Sequence, residues 1–250
     1  MKLNEEQIVE NWNKLILIIE SEFSGDRKAN LLKMYNHFEE RMSIAPASGL
    51  VHYHNCFVGG YVDHVLRVIE SSLLVWESWK KMGANKSDFT KEELIFSALN
   101  HDLGKVGDEE HDYYIHNESE WHRKNQGKLY AFNPKLTHMS VPDRSLYLLN
   151  QFGIKYTAKE CLAIRLHDGL YDQANEPYLK TYNPDKELKT YLPILLHHAD
   201  HMASRIEHDL AANNKVDKPI NKVSYGTKKK PVLTDSKKSA QDLLKGFFNK

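Results

Sequence analysis

The sequence predicts an all-α protein, a helical bundle followed by a flexible C-terminal tail, and three observations lead to this prediction. Over several long segments, apolar residues recur every three or four positions, which is the period of an amphipathic helix. Alternating strand-like runs and hairpin dipeptides are nearly absent. From position 213 onward, lysine, proline and small polar residues replace the apolar side chains that could offset the entropy of ordering.

Two amphipathic helices are predicted at the start of the chain. Apolar residues at helical spacing mark the first from Ile8 to Ile19 and the second from Leu31 to Met42. The stretch IAPASG then interrupts the pattern. We expect this N-terminal part, residues 1–45, to pack on a single domain that extends to residue 212.

Five further helices are predicted before the tail. The first runs from Val62 to Trp76 and carries His64, and the next begins at a Thr90 cap and ends at an adjacent histidine and aspartate. The others are expected over 142–151, 157–167 and 187–212. Residues 107–139 are polar and aromatic with little periodicity, so no regular element is predicted there.

The bulk composition is that of an ordinary globular chain. The 250 residues are 41% hydrophobic and 27% charged, with zero formal net charge. The tail carries ten lysines against three aspartates, a net +7, which leaves −7 on residues 1–212. The N-terminus lacks the features of a secretory signal, no apolar run could span a bilayer, and two isolated cysteines form no disulfide framework. We therefore expect a cytoplasmic protein without a membrane partner.

Histidine and aspartate side chains at five separated places predict a metal site. They are His64, the pair His101 and Asp102, His138, His167 and Asp200. Imidazole and carboxylate groups suit Mn²⁺, Fe²⁺, Ni²⁺ or Zn²⁺ and, less well, Mg²⁺. A shared aspartate can bridge two ions about 3.5 to 4 Å apart, and such a pair can activate water for attack on a phosphoryl group. Lys105 is placed to meet an anionic substrate oxygen. Any one of these histidines could instead be structural.

The order of three motifs resembles the HD superfamily of metal-dependent phosphohydrolases. The motifs are GGYVDH, NHDLGK and HHADHMA, and the resemblance covers roughly residues 28 to 210. The segment from Ala45 to Ser71 is similar to the entry segment of bacterial HD-type 3′→5′ exoribonucleases. The resemblance implies a first ion held by His64, His101, Asp102 and Asp200, with Asp102 bridging to a second ion completed by His138 and His167, and bound water as the nucleophile.

The sequence departs from several HD families. The (p)ppGpp hydrolases carry acidic residues after the His-Asp pair, where this chain has Lys105, and the GYP element of cyclic-dinucleotide phosphodiesterases is missing. The exoribonucleases usually carry an N-terminal OB-fold that tracks single strands, and nothing before residue 28 could form one.

Substrate selection is expected in the segment from Tyr113 to Asn133. Trp121 and Tyr130 could stack on a base, while His122 and Arg123 could reach a phosphate. The alternative is a surface loop that packs its own aromatic side chains. His54 is a further candidate for contact with phosphate, or else a structural histidine.

The tail ends in a possible recruitment peptide. Gln241, Leu244, Phe247 and Phe248 have the spacing of a sliding-clamp-binding peptide, in which a helical turn presents aliphatic and aromatic anchors. The same turn could instead dock on its own domain.

Together, these features predict a metal-dependent phosphohydrolase, with two ions, acting on nucleotides or single-stranded nucleic acid. Asp102 and Lys105 are the predicted catalytic residues. A phosphodiesterase or nuclease is favoured over a nucleotide phosphatase, whether a nucleotidase or a dNTP hydrolase. A noncatalytic, nucleotide-sensing adaptor that binds a clamp is the alternative of a different class.

Overall fold

The computed structural model describes residues 3–84 and 89–212. Ten α-helices and two short strands lie within these residues: α1 (Glu5–Glu22), α2 (Gly25–His37), α3 (Glu39–Ile44), α4 (Gly60–Lys81), α5 (Lys91–Asn100), β1 (Tyr114–His116), α6 (Glu120–Gln126), β2 (Tyr130–Phe132), α7 (Val141–Gln151), α8 (Ala158–Leu166), α9 (Glu176–Leu179) and α10 (Leu192–Ala212). The predicted mainly α-helical class is confirmed. The predicted tail, with Gln241, Leu244, Phe247 and Phe248, lies outside the described residues.

The described residues form two compact units that interleave along the sequence, and helices α4 and α10 contribute residues to both. The sequence predicted one domain over residues 1–212 and did not distinguish these units. Within residues 3–84 and 89–212, no helix combines the length and apolarity that crossing a membrane requires.

The first unit comprises residues 3–66, 105–137 and 204–212. Helix α1 begins with a capping box, in which the Asn4 side chain accepts from the Gln7 amide and the Gln7 side chain accepts from the Asn4 amide. One face of α1 is buried and packs against α2 and α3. The buried residues of α1 are Ile8, Trp12, Leu15, Ile16, Ile18 and Ile19.

A small antiparallel hairpin belongs to the first unit. Strands β1 and β2 pair Ile115 with Ala131. The segment after α3 joins them, because the Tyr130 amide donates to the Gly49 carbonyl at 3.1 Å and an isolated bridge pairs Leu50 with Lys128. The sequence did not predict these strands, since three residues are too few to show a strand period.

The second unit comprises residues 67–84, 89–104 and 138–203. Helix α8 packs against both α5 and α7. The side chains buried on these three helices include Leu94, Ile95, Phe96, Leu99, Leu148, Leu149, Ile164 and Leu166.

The structure differs from the predicted helices at four places, one of which is helix α6, in the segment 107–139 where no regular element was predicted. The predicted second helix is divided at Phe38, whose φ of −99° and ψ of 9° end α2 and precede α3. Helix α10 begins at Leu192 rather than at residue 187. Helix α9, one turn long, was not predicted.

Candidate metal centre

Helices α5 and α8 begin in the same way. The Thr90 side chain accepts from the Glu93 amide while the Glu93 carboxylate accepts from the Thr90 amide, and Thr157 and Glu160 repeat this capping box at the start of α8. The Thr157 hydroxyl also donates to the Glu93 carboxylate at 3.0 Å. This bond joins the starts of the two helices.

We expect Thr157→Ala to destabilise the protein more than Thr90→Ala does. Losing a threonine cap costs about 1 kcal/mol, and Thr157→Ala also removes the bond to Glu93, so a total of about 2 kcal/mol is expected for it. Urea denaturation of both variants measures the difference. A Thr157→Ala protein as stable as wild type would contradict this role.

The two helices also end in the same way, each at a histidine. Helix α5 has ten residues and α8 has nine, so at about 1.5 Å per residue two helices that start together end at nearly the same level. His101 and His167 are the C-terminal caps, and their ring centroids lie 4.9 Å apart. Matched helix lengths therefore bring together two histidines that are 66 residues apart in the sequence.

Both imidazole rings are held in one tautomer. The His101 Nδ1 lies 2.8 Å from the Ala98 carbonyl oxygen, and the His167 Nδ1 lies 2.8 Å from the Ile164 carbonyl oxygen. Because a carbonyl only accepts, each Nδ1 carries the hydrogen and donates it. When either ring carries a single proton, that proton is therefore on Nδ1 and the lone pair is on Nε2, the arrangement that metal-binding histidines use.

Asp102 places its carboxylate beside both Nε2 atoms. Its Oδ2 lies 3.4 Å from the His101 Nε2 and its Oδ1 lies 3.6 Å from the His167 Nε2. Asp200 is farther away, with Oδ1 4.0 Å from the His101 Nε2. The donor atoms of His101, Asp102 and His167 all lie within 4.8 Å of one another, and all three residues are buried. This group, the HDH cluster, could hold a metal ion.

The electrostatics of the HDH cluster favour positive charge. Burial, the largest influence on the pKa of His167, lowers it, but the carboxylates of Asp168, Asp102 and Asp200 outweigh burial and raise this pKa to about 9. The same carboxylates would favour a divalent cation in place of the imidazolium proton.

The turn after Asp102 is tied to helix α7. The Ser145 hydroxyl donates to the His101 carbonyl at 3.1 Å and accepts from the Gly104 amide at 2.8 Å. A Cβ on Gly104 would lie 2.2 Å from the Val141 carbonyl oxygen. The close approach of this turn to α7 fixes the backbone on both sides of Asp102.

No family model, curated protein or solved structure matches this chain.

His64 lies in the first unit, in a buried polar network. Its Nδ1 lies 3.1 Å from both carboxylate oxygens of Glu207, and its ring packs on that of His54 with centroids 4.4 Å apart. Because a carboxylate accepts the Nδ1 hydrogen, Nε2 is the ring nitrogen of His64 that could offer a lone pair to a ligand. The role of His64 as an ion ligand stays a prediction.

We expect Glu207→Ala to destabilise the protein by about 2 kcal/mol, because it removes the buried acceptor of the His64 hydrogen bond. Glu207→Gln retains an oxygen acceptor, so a smaller loss is expected. Urea denaturation compares both with the exposed control Glu109→Ala. Equal stability of the Glu207→Ala and Glu109→Ala proteins would contradict this role.

Two further residues that the sequence predicted for metal binding or catalysis, His138 and Lys105, are not members of the HDH cluster. His138 is exposed in the loop before α7, and no group of three or more candidate ligands within residues 3–84 and 89–212 includes it. Lys105 is half-buried in the 3₁₀ turn Leu103–Val106 and lines a cavity of the first unit. The predicted roles of both residues stay predictions.

The predicted substrate-binding residues have different environments. Trp121 and His122 are exposed on α6, where the His122 ring bonds the Ser119 hydroxyl, and the Arg123 guanidinium donates to the Asn117 carbonyl. Tyr130 is half-buried and lines the same cavity as Lys105. Their roles in substrate binding, and that of His54, stay predictions.

The sequence analysis assigned no role to three residues of these networks: Ser145, Asp168 and Glu207. A signal for Asp168 existed, because a threonine, a glutamate three residues later and a final His-Asp pair occur both at 90–102 and at 157–168. Asp168 lies 3.7 Å from the His167 Nε2 and is half exposed.

Glu207 follows Asp200 by seven residues, two helical turns, which places both on one face of α10.

Proposed function

We propose that this chain is a metal-dependent phosphohydrolase that cleaves phosphoester bonds of nucleotides or nucleic acid. The observation that carries the proposal is the buried HDH cluster, in which the Nε2 atoms of two histidines lie beside one carboxylate while each Nδ1 donates to a backbone carbonyl. Lys105, three residues after Asp102, adds a cation for a phosphoryl oxygen. The order of motifs that resembles the HD superfamily supports the same activity.

The HDH cluster fits a divalent ion by its donor chemistry. The Nε2 atoms of His101 and His167 and the carboxylate of Asp102 would hold the ion, and Asp200 offers a further oxygen. When bound, a divalent ion supplies Lewis acidity toward water and toward a phosphoryl oxygen. We also propose that the centre holds a second ion, as the sequence predicted.

The chain itself contributes preorganisation and charge. The Ala98 and Ile164 carbonyls hold the two imidazole rings in their tautomers, so no ring has to reorient when a ligand arrives. Burial of the cluster limits competition from bulk water and strengthens its electrostatic interactions. Lys105 would compensate the negative charge that develops on a phosphoryl group during attack by water.

Two classes of substrate are compatible with this chemistry. The similarity of the segment from Ala45 to Ser71 to HD-type exoribonucleases favours a phosphodiesterase or nuclease. A nucleotide phosphatase is the second candidate, because residues 1–212 carry a net charge of −7, which disfavours a long polyanionic substrate. Recruitment by a sliding clamp, through the peptide at 241–248, remains a proposal about partners.

Product analysis distinguishes these classes. The full-length protein is incubated with Mn²⁺, Fe²⁺, Ni²⁺, Zn²⁺ or Mg²⁺ and with single-stranded oligonucleotides or free nucleotides. Release of mononucleotides from the oligomers identifies a nuclease, whereas release of phosphate from nucleotides identifies a nucleotidase. Absence of hydrolysis with every ion and substrate would overturn the proposal and favour a noncatalytic adaptor.

A further inference from the structure

Helix α10 carries a pair of histidines in the second unit that do not belong to the HDH cluster. His197 and His201 are four residues apart, so they lie about one helical turn apart on the same face of α10. Their ring centroids are 6.3 Å apart. Two helix histidines at this spacing can bind one zinc ion, as they do in zinc proteases. His197 is half-buried and His201 is exposed, so an ion in solution can reach the pair.

The His197 ring is held in one orientation by the turn that follows α8. Its Nδ1 lies 2.8 Å from the His167 carbonyl oxygen, and because a carbonyl only accepts, Nδ1 is the donor. When the ring carries a single proton, Nε2 is therefore the nitrogen that offers a lone pair to a ligand. Glycine at position 169 leaves room for the ring, since a Cβ there would lie 2.4 Å from the His197 Nε2. Little rearrangement of His197 is needed when a ligand arrives.

Tyr171 brings an oxygen to the same pair of histidines. This residue ends the 3₁₀ turn Gly169–Tyr171, and its ring stacks on that of His201 with centroids 5.7 Å apart and an angle of 19° between the planes. The Tyr171 centroid also lies 6.1 Å from that of His197. Two imidazole rings and one phenol ring are thus grouped together within the second unit.

The distance between the Tyr171 oxygen and His201 suits two ligands of one ion. The hydroxyl oxygen lies 3.4 Å from the His201 Nδ1. Hydroxyl groups form hydrogen bonds of about 2.5 to 3.0 Å, so a hydrogen bond at this distance is weak. Two atoms that bind a tetrahedral ion at about 2.1 Å each lie about 3.4 Å apart. The two donors therefore already have the separation that a shared ion requires.

We propose that Tyr171, His197 and His201, the YHH cluster, form a further metal site that binds one Zn²⁺, Ni²⁺ or Cu²⁺ ion. Imidazole nitrogen suits these ions. The phenol proton passes to solvent when the Tyr171 oxygen binds, because a ligand atom gives up its proton to the incoming ion. The bound ion ties the turn Gly169–Tyr171 to helix α10. The YHH and HDH clusters share no side chain, so this inference does not rest on the proposed phosphohydrolase.

Calorimetric titration with Zn²⁺ tests the histidine pair. The protein is the full-length Asp102→Ala variant without a histidine tag, in which the HDH cluster lacks its carboxylate. We expect an added His201→Gln change to weaken Zn²⁺ binding roughly tenfold or more, the loss of one of three ligands. His198→Gln is the matched control, because it replaces an exposed neighbour whose ring packs against Trp79, and it should leave the affinity unchanged. Equal affinities in the His201→Gln and His198→Gln proteins would overturn the inference.

Visible absorption of wild-type protein with Cu²⁺ tests Tyr171. A phenolate ligand gives Cu²⁺ an intense charge-transfer band, and the HDH cluster contains no phenol that could produce one. We expect this band in wild type and its loss in Tyr171→Phe, which retains the ring that stacks on His201. Tyr182→Phe, at a tyrosine that is 99% exposed, is the control and should keep the band. A wild-type complex without the band, or a Tyr171→Phe complex that retains it, would contradict the YHH cluster.

Failure of this inference is distinguishable from failure of the proposed function. Mn²⁺ prefers oxygen ligands and ranks lowest among the first-row divalent ions in affinity, so hydrolysis with Mn²⁺ reports on the HDH cluster. A protein that hydrolyses phosphoesters with Mn²⁺ but shows no phenolate band with Cu²⁺ retains the phosphohydrolase and loses the YHH cluster. A protein whose band depends on Tyr171 but which cleaves no phosphoester retains the YHH cluster and loses the phosphohydrolase.

Discussion

Asp102→Ala is expected to lower kcat for phosphoester hydrolysis roughly a thousandfold or more, because it removes the carboxylate that lies beside both Nε2 atoms of the HDH cluster. Asp185→Ala changes an exposed aspartate and should leave kcat unchanged. Steady-state assays on whichever substrate the product analysis identifies measure both variants. Circular dichroism of Asp102→Ala separates loss of chemistry from loss of fold.

One result for Asp102→Ala would contradict a catalytic role of Asp102. If the Asp102→Ala protein is folded and turns over at the wild-type rate, the HDH cluster is not the reacting centre. His101 and Asp102 would then be structural residues at the end of α5.

Gly104→Ala is expected to destabilise the protein by about 3 kcal/mol, the upper part of the range for overpacked sites. The added Cβ would meet the Val141 carbonyl oxygen at 2.2 Å, and backbone of helix α7 cannot move aside as a flexible side chain can. Relaxing this contact would displace the turn that follows Asp102, so weaker metal binding should accompany the loss of stability.

A matched glycine variant isolates the steric cause. A Cβ on Gly49, which like Gly104 has no positive φ, would meet the Tyr130 carbonyl oxygen at 3.0 Å. We therefore expect Gly49→Ala to cost clearly less than Gly104→Ala in urea denaturation. Equal stabilities for the two variants would contradict a steric requirement for glycine at position 104, where the turn approaches the α7 backbone.

The sequence predicted the longer helices well because their signals are local. Thr90 with Glu93 three residues later marks the start of α5, and the apolar period of α1 persists over its whole length. The three-residue strands β1 and β2 gave no such signal, since their pairing depends on contacts with each other and with Gly49. Short elements of this kind become visible only in three dimensions.

The sequence predicted only part of the candidate site, because contacts between distant residues leave no local signal. The His-Asp pair and His167 stood out by residue type, but their proximity depends on α5 and α8 starting together, where Thr157 bonds Glu93, and ending at nearly the same level. Glu207 resembled any polar residue of an amphipathic helix. Only its burial, at 1% exposure, and its bonds to His64 distinguish it.

The content of divalent ions in the purified full-length protein tests the proposed centre most directly. The protein is dialysed exhaustively against metal-free buffer and reloaded with Mn²⁺, and the bound ion is then measured by mass spectrometry. We expect at least one ion per chain in wild type, a severe loss in His167→Ala, and no change in the control His37→Ala, which alters an exposed histidine of α2. Wild-type protein that holds no ion, or a His167→Ala protein with wild-type content, would contradict a metal centre at the HDH cluster.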